Sequence, residues 1–166
     1  MLISAIAAHS KNKVIGKDNA MPWHIPQEFA HFKRTTLNHH ILMGRKSLEA
    51  LPGVLPKRTH LVISKQEPTL SHPDVLWFKS IESAIAHAKN AGETELFVSG
   101  GAQIYEQCMT LCDYLYLSEI DLNIANGDAF FPEFNLKQWE VVEEELHPAL
   151  SETEPAWVFR KFARIR

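Results

Sequence analysis

An apolar run at residues 2–8, bounded by polar positions, opens the chain and predicts a buried central strand. Residues 9–25 follow with Gly16, Asn19, Pro22 and no helical period. A connection that long inside a small domain is usually functional, so it is a candidate lid. Pro26 suits a first helical turn, and Phe29, Phe32 and Lys33 stand at i, i+3 and i+4, which predicts a helix ending near Thr36 with Glu28 in its first turn. Strands are predicted at residues 40–43, 59–64 and 75–78. Ser80 can cap a helix whose apolar positions Ile81, Ala84, Ile85 and Ala88 follow the helical period, with Gly92 ending it. Then come a strand at 95–98, Gly100-Gly101, a helix over about 102–111, and an alternating strand at 114–120. Residues 139–147 and 156–164 read as two closing strands joined by a polar loop.

Strands that alternate with helices, followed by strands that do not, predict an α/β fold. The expectation is one domain spanning 1–166, with a mainly parallel central sheet, helices on both faces and an antiparallel C-terminal edge. No repeat, linker or low-complexity tract interrupts it.

Composition narrows the function. The 166 residues are 45% hydrophobic and 22% charged, enough for a substantial single core. A net charge of −3 offers no basic field for nucleic acid, so an anionic ligand needs local positive charge. The opening apolar run is too short to span a bilayer and lacks the flanks of a signal peptide, so a cytoplasmic protein with no membrane association is expected. Cys108 and Cys112 lie four apart in a predicted helix, where a disulfide is geometrically poor, and they read as buried thiols. None of the nine histidines falls in a zinc motif, and no metal is expected.

Two strands run through glycine into helices, at Gly44-Arg45-Lys46-Ser47 and at Gly100-Gly101-Ala102-Gln103. Free N–H groups at a helix start attract phosphate, and glycine permits close approach. Together the two turns suit a pyrophosphate, and Arg45 with Lys46 suits the additional 2′-phosphate that separates NADP from NAD. Each signal alone is weak, because Gly-Gly is a common tight turn and Arg-Lys a common solvated face. Glu28 has apolar neighbours Ile25, Phe29 and Phe32. It is either a carboxylate in an apolar pocket, tuned for proton chemistry or ligand N–H groups, or an acid stabilising a helix dipole.

The string Val14-Ile-Gly-Lys-Asp-Asn-Ala-Met-Pro-Trp-His-Ile-Pro26 resembles the lid of bacterial dihydrofolate reductases. In order after it, residues 32–37, Met43 to Ser47, 55–58, Val98 to Tyr105, 116–120 and Gly127 to Pro132 also resemble that family, so the likeness covers roughly residues 2–132. The resemblance implies a monomer that uses NADPH, reduces 7,8-dihydrofolate and binds antifolates of the trimethoprim or methotrexate kind. It places Glu28, Met21, Trp23, Tyr105 and Ser118 at the chemistry, with Glu28 binding the pterin N–H edge and Ser118 linking it to the ring. Ile6, Ala7, Phe29, Phe32, Leu51, Leu55 and Ser99 would line the ring slot, and Arg58 would fork onto a glutamate-tail carboxylate.

For the cofactor it implies Ala8, Ile15, Gly16, Asn19 and Ala20 over the nicotinamide with Tyr105 beside it. Gly44, Arg45, Lys46, Ser47, Ser64, Lys65 and Lys79 would serve the adenosine phosphates. Gly100, Gly101, Ala102, Gln103 and Ile104 would hold the pyrophosphate, with the Gly-Gly peptide cis. Against the family pattern, Glu28 replaces a usual Asp, His31 an aromatic, Ser99 an aliphatic and Gln103 an arginine. Two other readings are a same-fold reductase of a riboflavin-pathway pyrimidine and a non-catalytic NADP- or folate-binding protein. The 23–28 stretch and Arg58 argue against the first, and retention of Glu28, Trp23, Tyr105 and Ser118 against the second.

Overall fold

The computed structural model describes residues 1–166. The first half contains β1 (Leu2–Ser10), β2 (Val14–Gly16), α1 (Pro26–Thr36), β3 (His40–Gly44), α2 (Arg45–Ala50), β4 (Thr59–Ile63) and β5 (Val75–Phe78). The second half contains α3 (Ile81–Asn90), β6 (Glu95–Val98), α4 (Ala102–Cys108), β7 (Tyr114–Ile120), β8 (Ala129–Phe130), β9 (Trp139–His147) and β10 (Trp157–Arg164). Eight strands form one sheet in the order β5-β4-β3-β6-β1-β7-β10-β9. The strands from β5 to β7 are mutually parallel, whereas β10 runs antiparallel to β7 and β9 antiparallel to β10. The fold read from the sequence is therefore the one observed.

Alternation along β1 divides the core. Ala5 and Ala7 join a cluster with Ile81, Ala84 and Ala88 of α3 and Ile104 and Tyr105 of α4. Ile6 faces the other way, toward Met43, Leu48 of α2 and Leu55, with Phe29 and Phe32 of α1 packed alongside. The helix α3 starts where Ser80 Oγ accepts from the Ser83 N–H at 3.1 Å, and Gly92 follows it at φ +82°. Cys108 and Cys112 are buried free thiols, and Cys112 Sγ donates to the Cys108 carbonyl at 3.3 Å.

Several expectations need correction, beginning with the strand expected at 59–64, which ends at Ile63, and the one expected at 40–43, which runs to Gly44. Residues 9–25 are not wholly irregular: β1 runs on to Ser10, and Val14–Gly16 pairs with Ala129–Phe130 as a separate two-stranded sheet. Short strands whose partner lies over a hundred positions away leave no local period to read. The helix after Gly101 ends at Cys108 and tightens into a 3-10 turn over Met109–Leu111. Finally, β10 begins at Trp157, one residue later than expected, a usual scatter for an element end.

Ligands of open α/β sheets bind beyond the carboxyl ends of the strands, near a topological switch point. Here β6 lies between β3 and β1, and the chain then crosses β1 to reach β7. Gly44, Ser64 and Gly100-Gly101 all stand at those carboxyl ends.

Candidate active site

Glu28 is buried although it occupies the first turn of α1, because that face of the helix packs on the sheet. Burial raises its pKa to about 7, and a hydrogen bond with the Ser118 side chain offsets part of the rise. Ser118 lies buried on β7 opposite Ala8 of β1. The acid is thus buried against the sheet with a polar contact to β7, and it is not a solvated surface acid.

Ile6 and Leu55, both buried, belong to one apolar cluster with Phe29, Phe32 and Leu51 packed against it. The Ala7 side chain lies outside this cluster. Its methyl lies in the opposite cluster with α3 and α4, because neighbouring residues on a strand point to opposite faces. Ala8 and Trp23 pack together against Ile25, Ile120, Trp157 and Phe159. His31 packs tilted on Phe159, with ring centres 4.3 Å apart and planes at 52°. Two buried polar atoms have no partner in the protein: Trp23 Nε1 and Ser99 Oγ. Orphan buried donors usually mark a ligand or bound water.

Arg58 is buried three residues beyond Leu55. Its Nε donates to Thr36 Oγ1 at 3.0 Å, and its terminal nitrogens donate to the carbonyls of Pro56 and Lys33. Five guanidinium N–H groups less these three leave one on each terminal nitrogen for a carboxylate.

On the cofactor side the two glycine turns adjoin, with the Gly44 N–H donating to the Gly100 carbonyl at 2.9 Å. The Gly100-Gly101 peptide is cis and Gly100 sits at φ +105°. A Cβ on Gly100 would come within 3.3 Å of both Ser47 Oγ and the Tyr105 ring. Neither α2 nor α4 has a side-chain cap on its first N–H groups, so those donors stay free. Ala102 begins α4, Gln103 is exposed and Ile104 is buried beneath Gly44. Tyr105 donates its hydroxyl to the Ile6 carbonyl at 2.6 Å, and burial raises its pKa.

Of the basic residues, Arg45 is paired with Glu49 at 2.7 Å, whereas Lys46 is exposed on the same turn. Ser64 and Lys65 follow β4, and Lys79 Nζ donates to the Lys65 carbonyl at 3.1 Å. These groups share one edge of the sheet, next to the glycine turns.

The candidate lid has a defined form. Ile15 and Gly16 lie in β2; Lys17 and Ala20 exchange hydrogen bonds at 2.8 and 3.1 Å across Asp18 and Asn19, both at positive φ. That is the turn geometry Asn and Asp tolerate best. Met21 is exposed just beyond. Asp128, to which the sequence assigned no role, accepts from the Asp18 N–H at 2.9 Å, and its own N–H donates to the Gly16 carbonyl at 3.1 Å. The only signal for it was its place in the Gly127 to Pro132 motif. Thr36, which positions Arg58, carried none.

An α/β sheet with adjoining glycine turns at its strand ends and a buried acid near an apolar cluster is an arrangement that suits a nucleotide-using enzyme. Comparison with known proteins makes this specific. The sequence model described as dihydrofolate reductase matches residues 2–164. Dihydrofolate reductase from Haemophilus influenzae is 40% identical over 149 residues, covering 90% of both chains. The enzyme from Neisseria gonorrhoeae is 45% identical over 142 residues, 85% of both, and the type 3 enzyme from Salmonella typhimurium 37% identical over the full length of both. The solved structure of Enterococcus faecalis dihydrofolate reductase complexed with NADP(H) and RAB-propyl superposes with a TM-score of 0.86 at 30% identity, covering 99% of this chain and 97% of that one. This chain belongs to the dihydrofolate reductase family.

Proposed function

We propose that the protein reduces 7,8-dihydrofolate to tetrahydrofolate with NADPH. The observation that carries this reading is Glu28, a buried acid with a pKa raised to about 7, joined to Ser118 and set in a slot walled by Ile6, Phe29, Phe32, Leu51 and Leu55. A pterin has a flat ring and one edge of N–H donors, which matches an apolar slot with one acceptor at its base.

The residues present fit the cofactor. The cradle at Gly44 and Gly100-Gly101 has free N–H groups and no room for a Cβ at Gly100 without displacing Ser47 or Tyr105. Gly100 to Ile104 would hold the pyrophosphate, and Arg45, Lys46, Ser47, Ser64, Lys65 and Lys79 the adenosine phosphates. NADPH supplies the hydride when bound. Glu28 binds the pterin N3 and 2-amino edge and its charge favours the protonated ring; Ser118 positions the carboxyl. Arg58 grips the glutamate-tail carboxylate. Trp23, Met21 and the lid at 16–24 exclude water, so the electrostatic effect of Glu28 on N5 protonation grows as the site closes. Ala8, Ile15, Asn19 and Ala20 flank the nicotinamide, with Tyr105 fixing β1 beneath it. The protein acts as a monomer on small molecules, and antifolates compete for the same slot.

Loss of NADPH absorbance on adding dihydrofolate tests the reading directly. Turnover of a riboflavin-pathway aminopyrimidine instead, or NADPH binding without dihydrofolate turnover, would replace it.

A further inference from the structure

A cavity of about 280 Å³ lies on the other face of the sheet, away from the pterin slot. His9 of β1 borders it, and His9 has the same parity as Ala5 and Ala7, so it points away from Ile6. The His9 ring is buried, with 2% of its surface exposed, and stacks on Phe131. Its Nδ1 lies 2.7 Å from the Ser10 carbonyl. A carbonyl only accepts, so Nδ1 carries the proton, and burial, which lowers the pKa, keeps the ring neutral. Nε2 is then a lone-pair acceptor with no donor from the protein, on a residue that lines the cavity.

Leu117, Phe134 and Phe162 give the cavity an apolar interior. Leu136 and Val141 at its border remain 67% and 47% exposed, apolar surface the fold leaves uncovered. Two cations border it. Arg160 is occupied by Glu144 at 2.9 Å and Glu119 at 3.7 Å. Lys13 Nζ lies over the Phe134 ring, 4.9 Å from its centre, and forms no ion pair. An acceptor that no protein donor engages, an apolar interior and an unpaired cation therefore border one space large enough for a small organic molecule.

We propose that this cavity is a second ligand site, for a small aromatic carboxylic acid bearing a hydroxyl donor. The hydroxyl donates to His9 Nε2, the ring packs on Leu117, Phe134 and Phe162, and the carboxylate pairs with Lys13. Lys13 directly precedes β2, and its carbonyl accepts from the Phe131 N–H at 2.9 Å. An occupant thus touches the strand from which the lid extends.

The test is calorimetric titration of 3-(4-hydroxyphenyl)propionate into protein saturated with NADP⁺ and folate, so that Arg58 cannot take the probe in the pterin slot. Saturable binding is expected, weakened about five-fold or more by Lys13→Met. The methyl ether 3-(4-methoxyphenyl)propionate, which keeps the ring and acid but lacks the donor, is expected to bind about five-fold or more weakly as well. The ether changes the probe and not the protein, so it tests the His9 contact without a variant that could misfold. No binding at millimolar probe, or binding that either change leaves untouched, overturns the proposal. Its outcome is independent of dihydrofolate turnover.

Discussion

Gly127 and Val14 meet so closely that a Cβ on Gly127 would lie 2.5 Å from Val14 Cγ1. Val14 is fully buried at the start of β2, and Gly127 stands between Asn126, at positive φ, and Asp128, the residue that holds the lid. The loop after β7 therefore packs on the lid's base with no space to spare. Gly127→Ala should push β2 and the Asp128 contact apart, lowering stability by about 1–3 kcal/mol as overpacking does. Turnover should fall while NADPH binding at the remote adenosine end is kept. Thermal unfolding and single-turnover kinetics measure both; a variant with unchanged stability and turnover would mean the loop yields freely.

Glu28→Gln should lower dihydrofolate reduction at neutral pH by about 10²–10³, comparable to losing one preorganised electrostatic contact. Residual activity should rise in acid, where solvent protonates N5 without help. Stability should move the other way. The native carboxyl binds its proton more tightly than an unfolded one, so the residue costs stability as pH rises from about 4.5 to about 7, and the cost is complete above that. The ligand-free glutamine variant should therefore be the more stable protein at pH 8, by on the order of 1–3 kcal/mol. Glu28→Asp should stay active.

NADPH should be strongly preferred over NADH. Lys46→Ala and Arg45→Ala should each weaken NADPH about ten-fold or more, with little effect on NADH. The Lys46 change should be the larger, since Arg45 must be shared with Glu49. Equal efficiency with both cofactors would remove these residues from the 2′-phosphate site.

Arg58→Lys should weaken dihydrofolate far more than NADPH, because an ammonium cannot form the fork. A pterin lacking its glutamate tail should lose little. Some stability should also go, because Thr36 Oγ1 and the Lys33 and Pro56 carbonyls lose their donor. Equal losses for tailed and tailless pterins would make Arg58 purely structural.

Glu93 gives an acid-side test away from the site. Burial raises its pKa, but donors from the His40 N–H and ring, the His39 ring and the Glu95 N–H outweigh it and bring the value to about 2. A depressed carboxylate contributes stability that is full above its unfolded value and lost as pH falls through the folded one. Wild type should thus lose stability between about pH 4.5 and 2, a loss that Glu93→Gln should blunt, in acid unfolding followed by circular dichroism.

Periodicity alone determined most elements of the fold. The strands at 75–78, 95–98 and 114–120 have the observed ends because burial on one or both faces is written in the side chains themselves; 139–147 also has them, although only Trp139 of it is buried. The helix α3 was legible too, because its cap and apolar stripe are local. The lid motif and the two glycine turns were likewise legible, since each depends on residue types at fixed spacing. What only the tertiary structure decided is everything set by partners distant in sequence. Pairing of Val14–Gly16 with Ala129–Phe130, the Asp128 hold on the lid and the Thr36 brace on Arg58 all join segments more than twenty residues apart. The face of each strand residue is of the same kind: Ala7 sits next to Ile6 in sequence, yet strand alternation turns it to the opposite cluster. Glu28 could be read from sequence as a surface acid or a pocket acid, and only the packing of α1 on the sheet, which excludes water from its carboxyl, separates the two.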